Sequence, residues 1–135
     1  MNLTTEYLTK GMKPEELILT DVLLELGAPD HLDGYPMTVE AVMCILEAGP
    51  RKTYSVMELY RELGCAFDID PQRVERRIRF FIEKTWDVGN QSELQQYFRN
   101  TISPDTGNPT NKQFVCRLAN IVRAEIGRRA GEVSA

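Results

Sequence analysis

The sequence of 135 residues has the size of one ordinary domain, with a mass of 15.4 kDa. Hydrophobic residues make up 42% and charged residues 27%, which supports a buried core and argues against a wholly disordered chain. No apolar run approaches the roughly 18 residues of a membrane span, and the first residues lack the basic-then-apolar order of a secretory signal. Composition thus argues against a multidomain enzyme and a membrane protein.

Cysteine usage indicates a reducing compartment. Cys44, Cys65 and Cys116 are odd in number and far apart, which is typical of reduced thiols in a cytoplasm and not of a secreted disulfide scaffold. Because none has the paired spacing of a zinc site, each is predicted to be a small hydrophobe buried on a helix. We predict no metal, no cofactor and no catalytic residue, and His31, the only histidine, falls in the turn-rich stretch at residues 28–36.

The net charge of −4 is unevenly distributed. Residues 1–50 carry two basic and nine acidic side chains, whereas residues 51–135 carry fourteen basic and eleven acidic ones. The basic excess lies at residues 71–86, with five basic against two acidic, and at residues 112–129, with five against one. Two basic segments on an acidic chain indicate a local face that binds a polyanion.

Helical spacing and capping patterns recur along the chain, and the alternation typical of strands is nowhere sustained. In chain order, the predicted helices run from Pro14 to a left-handed stop at Gly27, from about Thr38 to Ala48, from Ser55 to about Phe67, from Pro71 to about Trp86, from about Ser92 to Phe98, and from Thr110 to Ile126. A loop is predicted between the last two, at residues 103–109. The sequence therefore predicts an all-α fold, a compact bundle of about six helices.

The predicted domain organisation has one folded unit. An effector-like domain spans residues 14–127, preceded by an N-terminal extension at residues 1–13 and followed by a C-terminal tail at residues 128–135. Both ends are expected to be frayed or mobile, because terminal residues are ordered only where something ties them down.

The fourth predicted helix has two opposite faces on a wheel of about 100° per residue. One side is largely apolar: Val74, Ile78, Phe81, Ile82 and Thr85. The other is rich in arginine: Gln72, Arg73, Arg76, Arg79, Phe80 and Glu83, with Glu75 and Arg77 at the flanks. Such a helix after a shorter one and a tight turn at residues 68–70 is typical of a helix-turn-helix, whose second helix enters the major groove. The alternative is a solvated charged face.

Several motifs in this order resemble one protein family. The stretch LGAPDHLDGY at residues 26–35 resembles the entry motif of the C-terminal effector domain of the stage-zero sporulation response regulator, the phosphorelay master regulator of endospore-forming bacteria. The stretch RVER at residues 73–76, with the helix that follows it, is similar to that domain's recognition helix. TIS at residues 101–103 and PTN at residues 109–111 match its C-terminal part. The resemblance covers residues 18–126.

The resemblance implies a six-helix domain that binds a short asymmetric site resembling TGTCGAA, usually as tandem head-to-tail copies. Four residues occupy the family's base-contacting or phosphate-contacting positions: Arg73, Glu75, Arg76 and Arg79. Arg77 stands where the family usually has a small residue, and Phe80 where it often has histidine. Gly127 replaces a basic residue, although Arg128 and Arg129 follow it directly.

The resemblance also makes the polymerase sigma subunit a candidate partner, although the helix near that contact, residues 93–98, matches the family poorly. The residues before position 25 are too few for a phosphoacceptor receiver domain. If the sequence is the complete protein, phosphorylation cannot gate it in cis.

These observations predict a sequence-specific regulator of transcription that binds double-stranded DNA in the cytoplasm, at the bacterial nucleoid, and is not an enzyme. The expected DNA contacts are Arg73, Glu75, Arg76, Arg77, Arg79 and Gln72, with Arg128 and Arg129 in the tail. A protein-interaction module is the alternative, in which the acidic N-terminal half binds polymerase or a related regulator.

Overall fold

A computed structural model of the protein describes residues 11–99 and 107–134. Within these ranges it contains six α-helices and no strand: α1 Pro14–Leu26, α2 Gly34–Ala48, α3 Val56–Phe67, α4 Pro71–Val88, α5 Gln91–Phe98 and α6 Asn111–Ser134. The predicted all-α bundle is confirmed. Most of the predicted loop at residues 103–109, together with the motif at residues 101–103, lies outside the described residues.

Side-chain caps fix the starts of the central helices. Asp70 has extended backbone angles, and its Oδ1 accepts a hydrogen bond from the Arg73 N–H at 3.0 Å, while Pro71 fills the first helical position. At α6, the Gln113 N–H donates to Thr110 Oγ1 at 3.1 Å, and the Thr110 N–H donates to Gln113 Oε1 at 2.8 Å. This reciprocal pair is a capping box, as the spacing predicts.

Two helices are longer than the sequence patterns predict. α2 begins at Gly34 and not near Thr38, because Pro36 falls in its first turn, where a missing N–H breaks no helical hydrogen bond. α6 continues to Ser134, so Arg128 and Arg129 lie within the helix and not in a separate tail. Both ion-pair with Glu125, and residues three and four apart are neighbours on a helix, so these pairs support the added turn.

The core is built where α2 packs against α4 and α6, with α3 beside α4 and α1 beside α6. The whole predicted core face of α4 is buried: Val74, Ile78, Phe81, Ile82 and Thr85. The buried Thr85 hydroxyl donates a hydrogen bond to the Phe81 carbonyl at 2.7 Å. Burial of this face fixes which side of α4 points outward.

Aromatic rings join α4, α5 and α6. Phe81, Phe98 and Phe114 are fully buried, and the centroid of the Phe114 ring lies 6.3 Å from that of Phe81 and 5.3 Å from that of Phe98. Trp86 adds edge contacts to Phe98 at 5.3 Å and to Phe114 at 6.0 Å. These distances are within the range in which aromatic pairs add stability beyond the area they bury.

The cysteines differ in environment. Cys44 and Cys116 are partly buried against the core, but Cys65 is exposed, so the prediction that all three are buried is wrong. Cys65 follows Gly64 and lines an open groove with Asp68 and Pro71, at the turn between α3 and α4. Burial, followed by the nearby Glu40 carboxylate, raises the pKa of the Cys44 thiol to about 11, which keeps it protonated at neutral pH.

Residues 11–99 and 107–134 lack two features. No cluster of three or more histidine, cysteine or acidic side chains there could hold a metal ion. None of the helices in the same ranges is long and apolar enough to cross a bilayer.

Candidate nucleic-acid interface

A tight turn joins α3 to α4. Asp68 adopts left-handed angles with φ of 56°, and the Asp68 and Ile69 N–H groups both donate to the Gly64 carbonyl, the latter at 3.0 Å. A Cβ on residue 64 would lie 2.7 Å from the Ile69 carbonyl oxygen, so only glycine lets the chain turn this closely. With the cap at Asp70, the turn starts α4 directly after α3, which is the arrangement of a helix-turn-helix.

The outward side of α4, called the recognition face below, has the composition predicted on the helical wheel. Every member is exposed: Gln72, Arg73, Arg76, Arg79, Phe80 and Glu83. Arg76 lies near its centre and has no ion-pair partner in the part of the chain that the structure describes. A cation in this position is available to an anionic or hydrogen-bond-accepting ligand without first breaking an internal contact.

Two other arginines of the face are weakly paired. Arg73 Nε lies 3.7 Å from Asp70 Oδ2, and Arg79 Nε lies 3.5 Å from Glu75 Oε1. The arginine side chains are 62% and 55% exposed, and ion pairs this exposed contribute at most about 1 kcal/mol. DNA phosphates or bases can therefore compete for both guanidinium groups at low energetic cost.

Glu75 and Arg77 occupy the flanks of α4, as predicted. Glu75 is half-buried beside the start of α6, where the Asn111 amide donates both to the Glu75 carbonyl and to the Tyr60 hydroxyl, each at 3.0 Å. Arg77 Nε lies 3.9 Å from Asp33 Oδ2, in the turn before α2. Because Asp33 is largely exposed and the distance is long, this pair is as weak as those of Arg73 and Arg79, and a phosphate can also compete for the Arg77 guanidinium.

Arg128 and Arg129 are not brought together with the recognition face. α6 begins beside α4 at Asn111, and Arg128 lies about 26 Å further along the helix axis at about 1.5 Å per residue. Both arginines pair with Glu125, which offsets part of their charge. Any contact that they make with DNA is therefore on a surface separate from α4.

Three features of the interface are absent from the sequence prediction: the Asn111 bridge, the Arg77–Asp33 pair and the exposed Met57. Met57 on α3 is 51% exposed and lines a groove with Gln72, Arg76 and Arg79. The bridge and the pair join residues far apart in sequence, so no local spacing reveals them. In the sequence, the only signal for these two contacts is that Asp33 and Asn111 belong to family-like motifs.

The model of the family described as "Sporulation initiation factor Spo0A C terminal" matches residues 19–122. The match includes the whole helix-turn-helix and the aromatic core, and it confirms the resemblance inferred from the motifs. This is a family of DNA-binding domains and not of enzymes. The chain belongs to the Spo0A C-terminal family, the DNA-binding effector domains of sporulation initiation.

Proposed function

We propose that the chain binds double-stranded DNA sequence-specifically and regulates transcription, with α4 in the major groove. The observation that carries the proposal is the recognition face, on which Arg76 is exposed, has no ion-pair partner among the described residues and lies between two weakly paired arginines. The positive N-terminal end of α4 adds favourable electrostatics for a nearby phosphate. The acidic N-terminal half repels the duplex elsewhere and favours one orientation.

Each side chain of the interface has a proposed role. Arg76 donates to the acceptor pair of a guanine, and Arg73 and Arg79 contact neighbouring bases or phosphates. Glu75 accepts a hydrogen bond from the amino group of a cytosine in this scheme. Its ion pair with Arg79 must break before that contact can form.

The remaining candidates are given supporting roles. Gln72 lies at the second position of α4, where it can reach the backbone or a base edge. Arg77 can exchange its weak pair with Asp33 for a neighbouring phosphate. Arg128 and Arg129 supply sequence-independent attraction to phosphates from a second surface.

The proposal extends to assembly and place of action. Tandem copies on adjacent sites, and contact with the polymerase sigma subunit, are the proposed partners at a promoter. The protein would then act in the cytoplasm at the nucleoid. The sequence-based alternative, a protein-interaction module, predicts no DNA binding by the recognition face.

A titration with two duplexes tests the proposed function. One contains a site resembling TGTCGAA, and the other contains the same bases in scrambled order. We expect tighter binding to the first at every salt concentration, measured by fluorescence anisotropy. Equal affinity for both duplexes would contradict sequence specificity, and no binding at low salt would favour the interaction module.

Binding should weaken steeply with salt. Because the basic side chains of the interface displace counterions from phosphates, the logarithm of the affinity should fall linearly with the logarithm of the salt concentration. The slope should be about −0.9 for each phosphate neutralised. An affinity that stays constant over the salt series would contradict the proposed phosphate contacts.

Phosphoryl donors should not be needed for binding by these 135 residues. The recognition face is uncovered in the described part of the chain, so nothing there has to be displaced before α4 meets DNA. We expect the same dissociation constant with and without acetyl phosphate and Mg²⁺. A large gain in affinity with acetyl phosphate would disprove this expectation.

A further inference from the structure

Phe80 is a large apolar side chain on an otherwise polar face. It is 47% exposed, whereas Phe81, the next residue, is completely buried. Phe80 follows Arg76 by one helical turn, so the two side chains are neighbours near the centre of the recognition face. The core does not require this ring, because the opposite side of α4 provides all of the helix's buried residues.

The Phe80 ring borders a shallow groove and one cation. Phe80 lines a shallow groove of about 220 Å³ with Arg76, Arg77 and the turn at residues 32–34. Arg77 and Asp33, whose Nε and Oδ2 atoms lie 3.9 Å apart, both line this groove. Lys84 Nζ lies 5.4 Å from the ring centroid, within the range of a cation–π contact. Part of the ring therefore stays exposed on the recognition face, where a ligand can reach it.

The surrounding charges indicate what the ring meets. Three basic side chains lie around it: Arg76, Arg77 and Lys84. Arg77 and Lys84 form long, exposed pairs with Asp33 and Asp87, at 3.9 and 3.8 Å, which phosphates of a duplex can replace. Inside the major groove, the apolar group on the base edges is the thymine methyl, and phenylalanine is one of the side chains that contact it. Phe80 lies four residues after Arg76, which is about 6 Å along the helix axis. A ring at that distance reaches one or two base pairs beyond the base pair that Arg76 contacts.

We propose that Phe80 is a specificity-determining residue that packs on the 5-methyl group of a thymine close to the base pair contacted by Arg76. This inference rests on the proposed function and adds an apolar contact to its polar readout. It also assigns a role to one of the positions at which this chain departs from the family pattern. The expected consequence is a preference for thymine over uracil at one position of the site.

The test replaces each thymine of the specific duplex in turn by deoxyuridine, which removes only the methyl group. Wild-type protein should lose about fourfold in affinity at one position, the change expected for one buried methyl group. Phe80→Ala should bind the thymine and uracil duplexes equally, and Phe80→Leu should keep part of the preference. Val88→Ala is the matched control, since Val88 is 66% exposed at the far end of the same helix and should leave the preference unchanged.

The outcomes separate the inference from the proposed function. In one outcome, wild-type protein binds the specific duplex and yet loses no more affinity than Phe80→Ala at every uracil substitution. That result would disprove the methyl contact and leave the proposed function standing. If Phe80→Ala weakens all duplexes alike, the ring packs on the sugar–phosphate backbone, which also overturns the inference. If wild-type protein binds the specific and scrambled duplexes equally, sequence-specific binding itself is disproved, and the inference about Phe80 falls with it.

Discussion

Arg76→Ala should weaken binding to the specific duplex by about 1–3 kcal/mol, which is about fivefold to 150-fold. Arg76 is exposed, central on the recognition face and unpaired among the described residues, so its loss removes a DNA contact without disturbing an internal one. Binding to a scrambled duplex should fall much less, because a base contact contributes to specific binding only. Anisotropy titrations on both duplexes give the two values directly.

Two variants make this result interpretable. Arg76→Lys keeps the charge but removes the planar fork that bridges two acceptors of guanine, so it should lose most of the discrimination while retaining scrambled-duplex affinity. Arg129→Ala removes a charge from a surface remote from α4 and should weaken both duplexes about equally. If Arg76→Ala lost specific and scrambled binding in equal proportion, Arg76 would be a phosphate contact and the base-reading role would be wrong.

The sequence predicts α4 well because the signals that determine it are local. The Asp70 cap, the first-turn proline and the buried face at helical spacing lie within the helix or next to it. Exposure then follows from burial, since the side opposite the core must face solvent. The recognition face could therefore be identified, with Arg76 near its centre, from the residues of one helix.

The rest of the interface depends on contacts between distant parts of the chain. Asp33 reaches Arg77 and Asn111 reaches Glu75 only after α2, α4 and α6 have packed together. The exposed Phe80 was visible on the wheel, but the groove beside it forms only when the turn before α2 lies against α4. The start of α2 and the end of α6 also differ from the sequence prediction. Pro36 is tolerated only because it falls in the first turn of α2, and Glu125 pairs with Arg128 and Arg129 only once α6 extends that far.

Phe114→Ala should have the largest effect on stability, about 3–5 kcal/mol. Phe114 is completely buried, and its ring contacts the rings of Phe81, Phe98 and Trp86. Truncation removes these contacts and leaves a cavity that three separate helices would have to close. Because domains of this kind are stable by only about 5–15 kcal/mol, the loss is a large fraction of the total.

Urea denaturation followed by circular dichroism measures this effect, with Phe80→Ala as the matched control. Phe80 is half-exposed, so the same chemical change there should cost less than about 1 kcal/mol. A Phe114→Ala protein with near wild-type stability would contradict the central place of the aromatic cluster. At a temperature where the variant is folded, its preference for the specific duplex should survive, because the recognition face keeps every side chain. Loss of that preference in folded protein would mean that the ring cluster also sets the position of α4, since the Phe81 ring on the buried side of α4 contacts Phe114.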